Sequence, residues 1–291
     1  MNIAWLGAGL LGRPMAERLQ AAGHQVTVYN RTQAKVADLP NVGIAVAAQP
    51  EAAMRAGTCV IMMLADAGAI RRVLLSPAGK TELTGRTVIQ MGTIGPQESR
   101  AIQQEVQAAG GEYLEAPVLG SIAEAKAQKL LVMVGGTPEQ FARWSGLLKS
   151  FGPELRLIGP VGKAAALKLA LNQLIAAEIA AFSLSVGLVQ REAIPVDTFM
   201  DILRRSALFA PAFEKKLPRL LARDHAHTNF STKNLLKDLN LFLDEAKGLG
   251  LNPDCASGVC ALLQQAIDRG LADVDYSAVH SLINPSNENK G

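Results

Sequence analysis

The chain has 291 residues, 49% of them hydrophobic and 19% charged, with a formal net charge of +3. That length carries two domains and a sizeable core, and so nearly balanced a charge offers no basic face of the kind nucleic acid requires. Three cysteines (Cys59, Cys255, Cys260) and four histidines (His24, His225, His227, His280) lack disulfide or metal-ligand spacing, so no metal is expected. Cys59, in an apolar run, is expected to be a buried free thiol, and His225 and His227 to be surface residues. The first strand begins at Asn2, which leaves no room for a leader, and the chain is expected to be soluble and cytoplasmic. The apolar stretch 164–189 raises a membrane question, but Lys168, Asn172, Gln173 and Glu178 within it point to burial in protein.

In chain order, an apolar strand over 2–6 feeds Gly7-x-Gly9-x-x-Gly12, and an amphipathic helix follows over 11–22. Each glycine has a mechanical task in a dinucleotide fold: Gly7 turns the chain, Gly9 admits a pyrophosphate and Gly12 lets helix and strand pack closely. Gly7, Ala8, Gly9, Leu10, Leu11 and Gly12 are therefore candidate cofactor residues, with the helix N-terminus facing the phosphates. The second strand, 25–29, ends at Asn30-Arg31-Thr32, where an NAD-binding chain carries an acid. An arginine there suits a 2′-phosphate, so NADP is expected over NAD.

Further strands are expected at 43–46, 58–64, 87–91, 111–114, 130–134 and 155–158, with helices at 50–56, 67–75, 97–109 and 138–150. The alternation predicts an α/β Rossmann domain over 1–160, its sheet largely parallel and turning mixed at the end. Ligands of such sheets lie beyond the carboxyl ends of the strands. The fourth strand exits through Leu64 and Ala65, and the fifth through Gly92-Thr93, where Thr93 is an N-cap or a ligand contact. The sixth exits through Glu115-Ala116-Pro117-Val118-Leu119-Gly120-Ser121. Gly120 and Ser121 offer amides and a hydroxyl to a small carboxylate.

From 161 to 291 the pattern is all helical: 162–191, 196–205, 208–222, 231–249, 253–270 and 275–282, with a polar tail from Asn284 expected to fray. Lys168 and Asn172 are four apart on one face of the long helix, within an apolar run. Burial lowers a lysine pKa, making Lys168 a usable proton donor to a carbonyl receiving hydride, with Asn172 beside it. The competing reading is a lysine that snorkels to solvent. Lys233, Lys237 and Asp238 form a second polar group, either a charged outer face or, for Lys237, a closure over the cofactor.

Together these residues resemble the β-hydroxyacid dehydrogenase family over nearly the whole chain. The resemblance is carried by Gly7–Met15, Tyr29–Thr32, Met91–Ile94, Ala116–Ser121 and Gly159-x-x-Gly162-x5-Lys168-x3-Asn172, and more loosely by Phe230 through Leu239. It implies a Rossmann domain, a helical domain and a catalytic Lys168. It also implies substrate contacts at Gly120, Ser121, Asn172, Phe230 and Asp238, and cofactor contacts at Thr93 and Lys237. A homodimer or homotetramer is implied as well. Within the family, Asn30-Arg31-Thr32 and Gly120-Ser121 look most like the NADPH-dependent glyoxylate and succinic semialdehyde reductases. An NAD(P)-dependent dehydrogenase of the 3-hydroxyisobutyrate or tartronate semialdehyde type is the enzymatic alternative, and a non-catalytic NADP-binding module the other. Imine reductases share the architecture, but Lys168 argues against one. Two positions depart from the family: Gly92, where serine is common, and Gln128, where glycine is usual.

Overall fold

A computed structural model describes residues 1–286. Strand and helix alternate through β1 (Asn2–Leu6), α1 (Gly12–Ala21), β2 (Gln25–Tyr29), β3 (Ala45–Val46), α2 (Pro50–Ala56), β4 (Cys59–Met62), α3 (Ala67–Val73) and α4 (Pro77–Thr81). They continue as β5 (Thr87–Gln90), α5 (Pro96–Ala108), β6 (Glu112–Glu115), β7 (Val118–Leu119), α6 (Ile122–Lys126), β8 (Leu131–Gly135), α7 (Pro138–Leu148) and β9 (Leu155–Gly159). Helices alone follow: α8 (Lys163–Arg191), α9 (Val196–Arg204), α10 (Pro211–Ala222), α11 (Thr232–Gly248), α12 (Asp254–Asp268) and α13 (His280–Ile283). The fold is a Rossmann-like α/β domain and an all-helical domain, linked by α8. The chain forms two compact units, Met1–Leu169 and Ala170–Gly291, whose boundary falls inside that helix.

In the first unit the strand order is β3-β2-β1-β4-β5-β6-β8-β7, with β9 beside β8. Pairing is parallel from β3 to β6 and antiparallel where β8 meets β6 and β7. Strand order reverses between β1 and β4, the point where open sheets of this kind form a ligand crevice. Successive side chains point to opposite faces, so each strand feeds two cores. Ile3 and Trp5 pack with Met15 and Leu19 of α1 on one face, and Ala4 and Leu6 with Ala53 and Met54 of α2 on the other. Cys59 is buried among them, and burial pushes its thiol well above the ordinary value. The sequence reading missed β7, α4 and α6, all five residues or shorter, because so few residues carry no readable period.

Gln128 is left-handed, with φ 56°, which explains the family's usual glycine. Its side chain holds the turn: Oε1 accepts from Arg18 at 2.6 Å, and Nε2 donates to the Lys149 carbonyl at 2.8 Å.

In the second unit Phe182, Met200, Leu217, Leu235, Leu239 and Leu263 build the core. Three readings need correction there. His225 is buried, not a surface residue, because Ser277 and Ser281 hold its ring nitrogens at 3.0 and 3.3 Å. The segment read as one helix over 275–282 is a 3-10 turn, Tyr276–Val279, running into α13; buried Asp275 bonds the Ser277 N–H at its start. Asn284 does not fray: it is buried, donating to Gln190 at 2.8 Å and accepting from Arg191 at 3.0 Å. The rest of the expected tail, 287–291, lies outside the described residues. Among the described residues α8 alone is long and apolar enough to cross a membrane, yet its Lys168, Asn172 and Ser183 are buried.

Candidate active site

The glycine-rich loop leaves β1 at the reversal of strand order. Gly7 has φ 100°, and a Cβ there would lie 2.4 Å from the Met63 carbonyl. A Cβ on Gly12 would lie 2.2 Å from the Gly7 carbonyl, so helix and loop touch backbone to backbone. A Cβ on Gly9, by contrast, would meet nothing within 4 Å, so the loop is open on that side. Helix α1 starts with no side-chain cap and no acid in its first turn, which leaves its positive dipole end to an anion, although the Arg13 N–H already donates to the Gly9 carbonyl at 3.1 Å and Pro14 has no N–H. These features fit a dinucleotide pyrophosphate. Leu10 is exposed and Leu11 half-buried beside them.

Asn30 joins this loop to the end of β2. Its Oδ1 accepts from the Ala8 N–H at 3.1 Å, while its Nδ2 donates to the Thr32 carbonyl at 2.8 Å. Arg31 and Thr32 are exposed at the tip so formed. Beyond β4 lie half-buried Leu64 and exposed Ala65. The loop after β5 comes close to them: a Cβ on Gly92 would be 2.6 Å from the Leu64 carbonyl, which is why this chain has no serine there. Gln90 braces the loop from below, accepting from the Gly92 N–H at 2.5 Å and donating to its carbonyl at 3.0 Å. Thr93 is half-buried in that loop and is not the N-cap of α5. The cap is Gly95, set by Pro96 at the first helical position and by Glu98, which accepts from the Gly95 N–H at 2.8 Å.

At the exit of β6, Gly120 has φ 137° and Ser121 opens α6. The amide and hydroxyl of Ser121 both donate to Glu124 Oε2, the amide at 2.8 Å. A carboxylate therefore already sits on the donors expected to hold substrate, and it belongs to the protein. Ser121-x-x-Glu124 is a capping-box spacing, a signal the sequence reading left unused.

Glu115, the last residue of β6, is buried, and the sequence reading assigned it no role. Its Oε1 accepts from the N–H groups of Gly162, Ala164 and Ala165 at 2.8, 2.9 and 3.0 Å. Its Oε2 accepts from the Ser99 hydroxyl at 2.5 Å, and Ser99 meets the Tyr113 hydroxyl at 2.9 Å. Burial raises the Glu115 pKa, against the pull of these donors. Lys168 follows in the second turn of α8 and is 9% exposed, so it does not snorkel freely into solvent.

In the second unit Asn172 Nδ2 donates to Asp238 Oδ2 at 2.6 Å, and both residues are buried. Lys237 Nζ lies 2.7 Å from Asp238 Oδ1. Lys233 is apart from this group, paired with Asp273 at 2.5 Å. Phe230 is half-buried, edge-on to Tyr276 with ring centroids 5.9 Å apart.

Residues 2–159 match the NAD-binding domain of 6-phosphogluconate dehydrogenase, and residues 162–283 match the NAD-binding region of NADP-dependent 3-hydroxyisobutyrate dehydrogenase. The chain belongs to the β-hydroxyacid dehydrogenase family. Glyoxylate/succinic semialdehyde reductase 1 of Arabidopsis thaliana is 29% identical over 99% of this chain and 100% of its own. The 2-hydroxy-3-oxopropionate reductase of Escherichia coli is 29% identical over 96% of each chain. The Mycobacterium tuberculosis 3-hydroxyisobutyrate dehydrogenase solved with L-serine superposes with a TM-score of 0.86 and 25% identity, covering 97% of this chain and 99% of that one. As a β-hydroxyacid dehydrogenase, the protein is an NAD(P)-dependent oxidoreductase.

Proposed function

We propose that this β-hydroxyacid dehydrogenase interconverts a short aldehyde acid and its hydroxy acid, with NADPH preferred over NADH. The observation that carries this reading is a buried lysine, Lys168, on a helix anchored in the same unit as an open glycine-rich loop. The relatives' names include both semialdehyde reductases and 3-hydroxyisobutyrate dehydrogenases, which favours the 3-hydroxy acid and semialdehyde pair as a class over glyoxylate alone. NADPH, when bound, supplies the hydride. Gly7, Gly9 and Gly12 with the start of α1 would hold its pyrophosphate, Arg31 its 2′-phosphate, and Leu64, Ala65 and Thr93 its flank. Lys168 gives a proton to the substrate oxygen in reduction and takes it back in oxidation, so no charged alkoxide persists in a dry site. In the helical unit Asn172 and Asp238, already bonded to each other, are proposed as substrate contacts, with Lys237 holding Asp238. The test is initial-rate NADPH oxidation with glyoxylate, succinic, tartronate and methylmalonate semialdehydes and a cyclic imine. Turnover of an aldehyde acid supports the reading; turnover of the imine alone, or of nothing while NADPH binds tightly, overturns it.

Arg31→Asp should weaken NADPH by about 10–100-fold and NADH by less than about threefold, read from fluorescence titrations. Equal losses would show that Arg31 does not read the 2′-phosphate.

Glu124 occupies the Ser121 donors, so a substrate carboxylate must displace it. Glu124→Ala should therefore lower KM for the preferred aldehyde acid by about three- to tenfold without raising kcat, since one competing charge-assisted bond is removed. An unchanged KM would place the substrate carboxylate elsewhere.

The protein is also proposed to be a homo-oligomer. Leu174, Leu184 and Leu188 of α8, with Ile202 and Leu208, are exposed, and Leu184 and Leu188, four apart, share one face of the helix. Light scattering at micromolar concentration should give at least twice the chain mass of 30.8 kDa, and a monomer would refute it.

A further inference from the structure

Helix α8 begins without a capping side chain of its own. The residues before it are Gly159-Pro160-Val161-Gly162, and none is Ser, Thr, Asp or Asn, the types that ordinarily satisfy the first amides of a helix. The cap comes from Glu115, 47 residues before Gly162 in sequence, whose single oxygen Oε1 collects the amide of Gly162, just before the helix, and those of Ala164 and Ala165 in its first turn. The carboxylate has no freedom to drift. Ser99 holds its other oxygen, and a Cβ on Gly135 would lie 2.4 Å from Oε1, so the group rests directly on the backbone of β8. A negative charge on a helix N-terminus is favourable, and three donors converging on one oxygen fix both the height and the rotation of the turn. Lys168 stands three residues beyond Ala165, less than one turn along the helix, at about 1.5 Å per residue.

We infer that Glu115 is a positioning residue for Lys168: by fixing the first turn of α8 to the end of β6, it sets where the lysine ammonium stands. The inference rests on the reading of Lys168 as the proton donor, and it adds the element that makes that donor effective. A proton donor displaced by about 1 Å can lose two orders of magnitude in rate, so the cap acts on kcat rather than on cofactor binding.

The test is a double-mutant cycle in the full chain, with glyoxylate and succinic semialdehyde as probes. Glu115→Asp withdraws the carboxylate by one methylene from the three amides, and kcat should fall about 10–100-fold with the NADPH Kd unchanged. Glu115→Gln keeps an oxygen at the same reach and should stay within about fivefold of wild type. In a Lys168→Ala background, Glu115→Asp should cost less than about twofold more, because the residue it positions is gone. If Glu115→Asp lowers kcat as much in that background as in wild type, Glu115 acts through something other than Lys168 and the inference fails. Wild-type turnover in Lys168→Ala would instead sink the lysine reading. A readout independent of turnover separates the two: after reductive 13C-methylation, the Lys168 resonance, assigned by its loss in Lys168→Ala, should shift in Glu115→Asp. An unmoved resonance overturns the positioning role. Should Glu115→Asp not fold, Ser99→Ala frees only Oε2, and it should shift the same resonance and lower kcat about three- to tenfold. No shift with Ser99→Ala counts against the inference equally.

Discussion

Lys168→Ala should lower turnover with the preferred aldehyde acid by about 10²–10⁴-fold while leaving the NADPH Kd within about twofold. On the proposed mechanism the proton it would supply matters only as the carbonyl becomes an alkoxide, so its loss should appear in kcat and kcat/KM together. Lys168→Arg should recover little, because a guanidinium keeps the charge but does not surrender a proton near neutral pH. Stopped-flow NADPH oxidation under single-turnover conditions, with fluorescence titration of cofactor binding, separates the two quantities. A variant that turns over within about threefold of wild type removes Lys168 from the mechanism.

The largest effect on stability is expected at Asp275. It is fully buried, its Oδ1 lies 2.6 Å from Lys216 Nζ, and Arg219 approaches Oδ2 at 3.5 Å. It also accepts from the N–H groups of Asn229 and Ser277 at 3.2 and 3.1 Å. Lys216 Nζ stands 4.0 Å above the Tyr276 ring centroid, so the pair joins α10 to the start of the 3-10 turn. Asp275→Ala leaves a buried ammonium unpaired and should destabilise the helical unit by about 3–5 kcal/mol, roughly 10–20 °C in the melting temperature. Differential scanning calorimetry reads this directly, and a shift below about 3 °C would show the pair to be dispensable.

The same region should make the helical unit acid-labile. Burial, reinforced by Arg223 and His225, lowers His280 from 6.5 to about 4. A ring held neutral in the folded state contributes stability above pH 6.5, and that contribution is lost as pH falls toward 4. Burial alone would raise Asp275, but Lys216 and Ser277 more than reverse this and hold it below the ordinary carboxylate value. Its contribution is present above that value and disappears at still lower pH, so the melting temperature should fall in two stages on acidification.

Much of the nucleotide domain could be read from local pattern. Gly7, Gly9 and Gly12 sit between a strand and a helix whose periods are unmistakable, and the structure gives each the backbone contact or open side its task requires. Asn172 and Asp238 were singled out on separate helices, and the structure brings them to 2.6 Å. Two features were legible but went unused: Ser121-x-x-Glu124 is a capping box, and Pro96 at a helix start makes Gly95 the cap rather than Thr93. Others had no local signal. The placement of Glu115 under α8 depends on β6 and the α8 turn meeting across 47 residues, and the burial of His225 depends on serines more than 50 residues further on. Neither relation leaves a period or spacing in the chain.

Asn30 bears on any attempt to shift the proposed NADPH preference toward NADH. The obvious exchange, Asn30→Asp, would give the acid found in NAD-dependent chains and keep an acceptor for the Ala8 N–H. A carboxylate, however, has no hydrogen to give the Thr32 carbonyl, so it would face that oxygen as one acceptor against another. The tip carrying Arg31 would loosen as the cofactor changed, and selectivity would be gained together with a weaker grip on adenosine. Cofactor switching in this scaffold therefore calls for a second donor to Thr32 to be supplied at the same time as the acid.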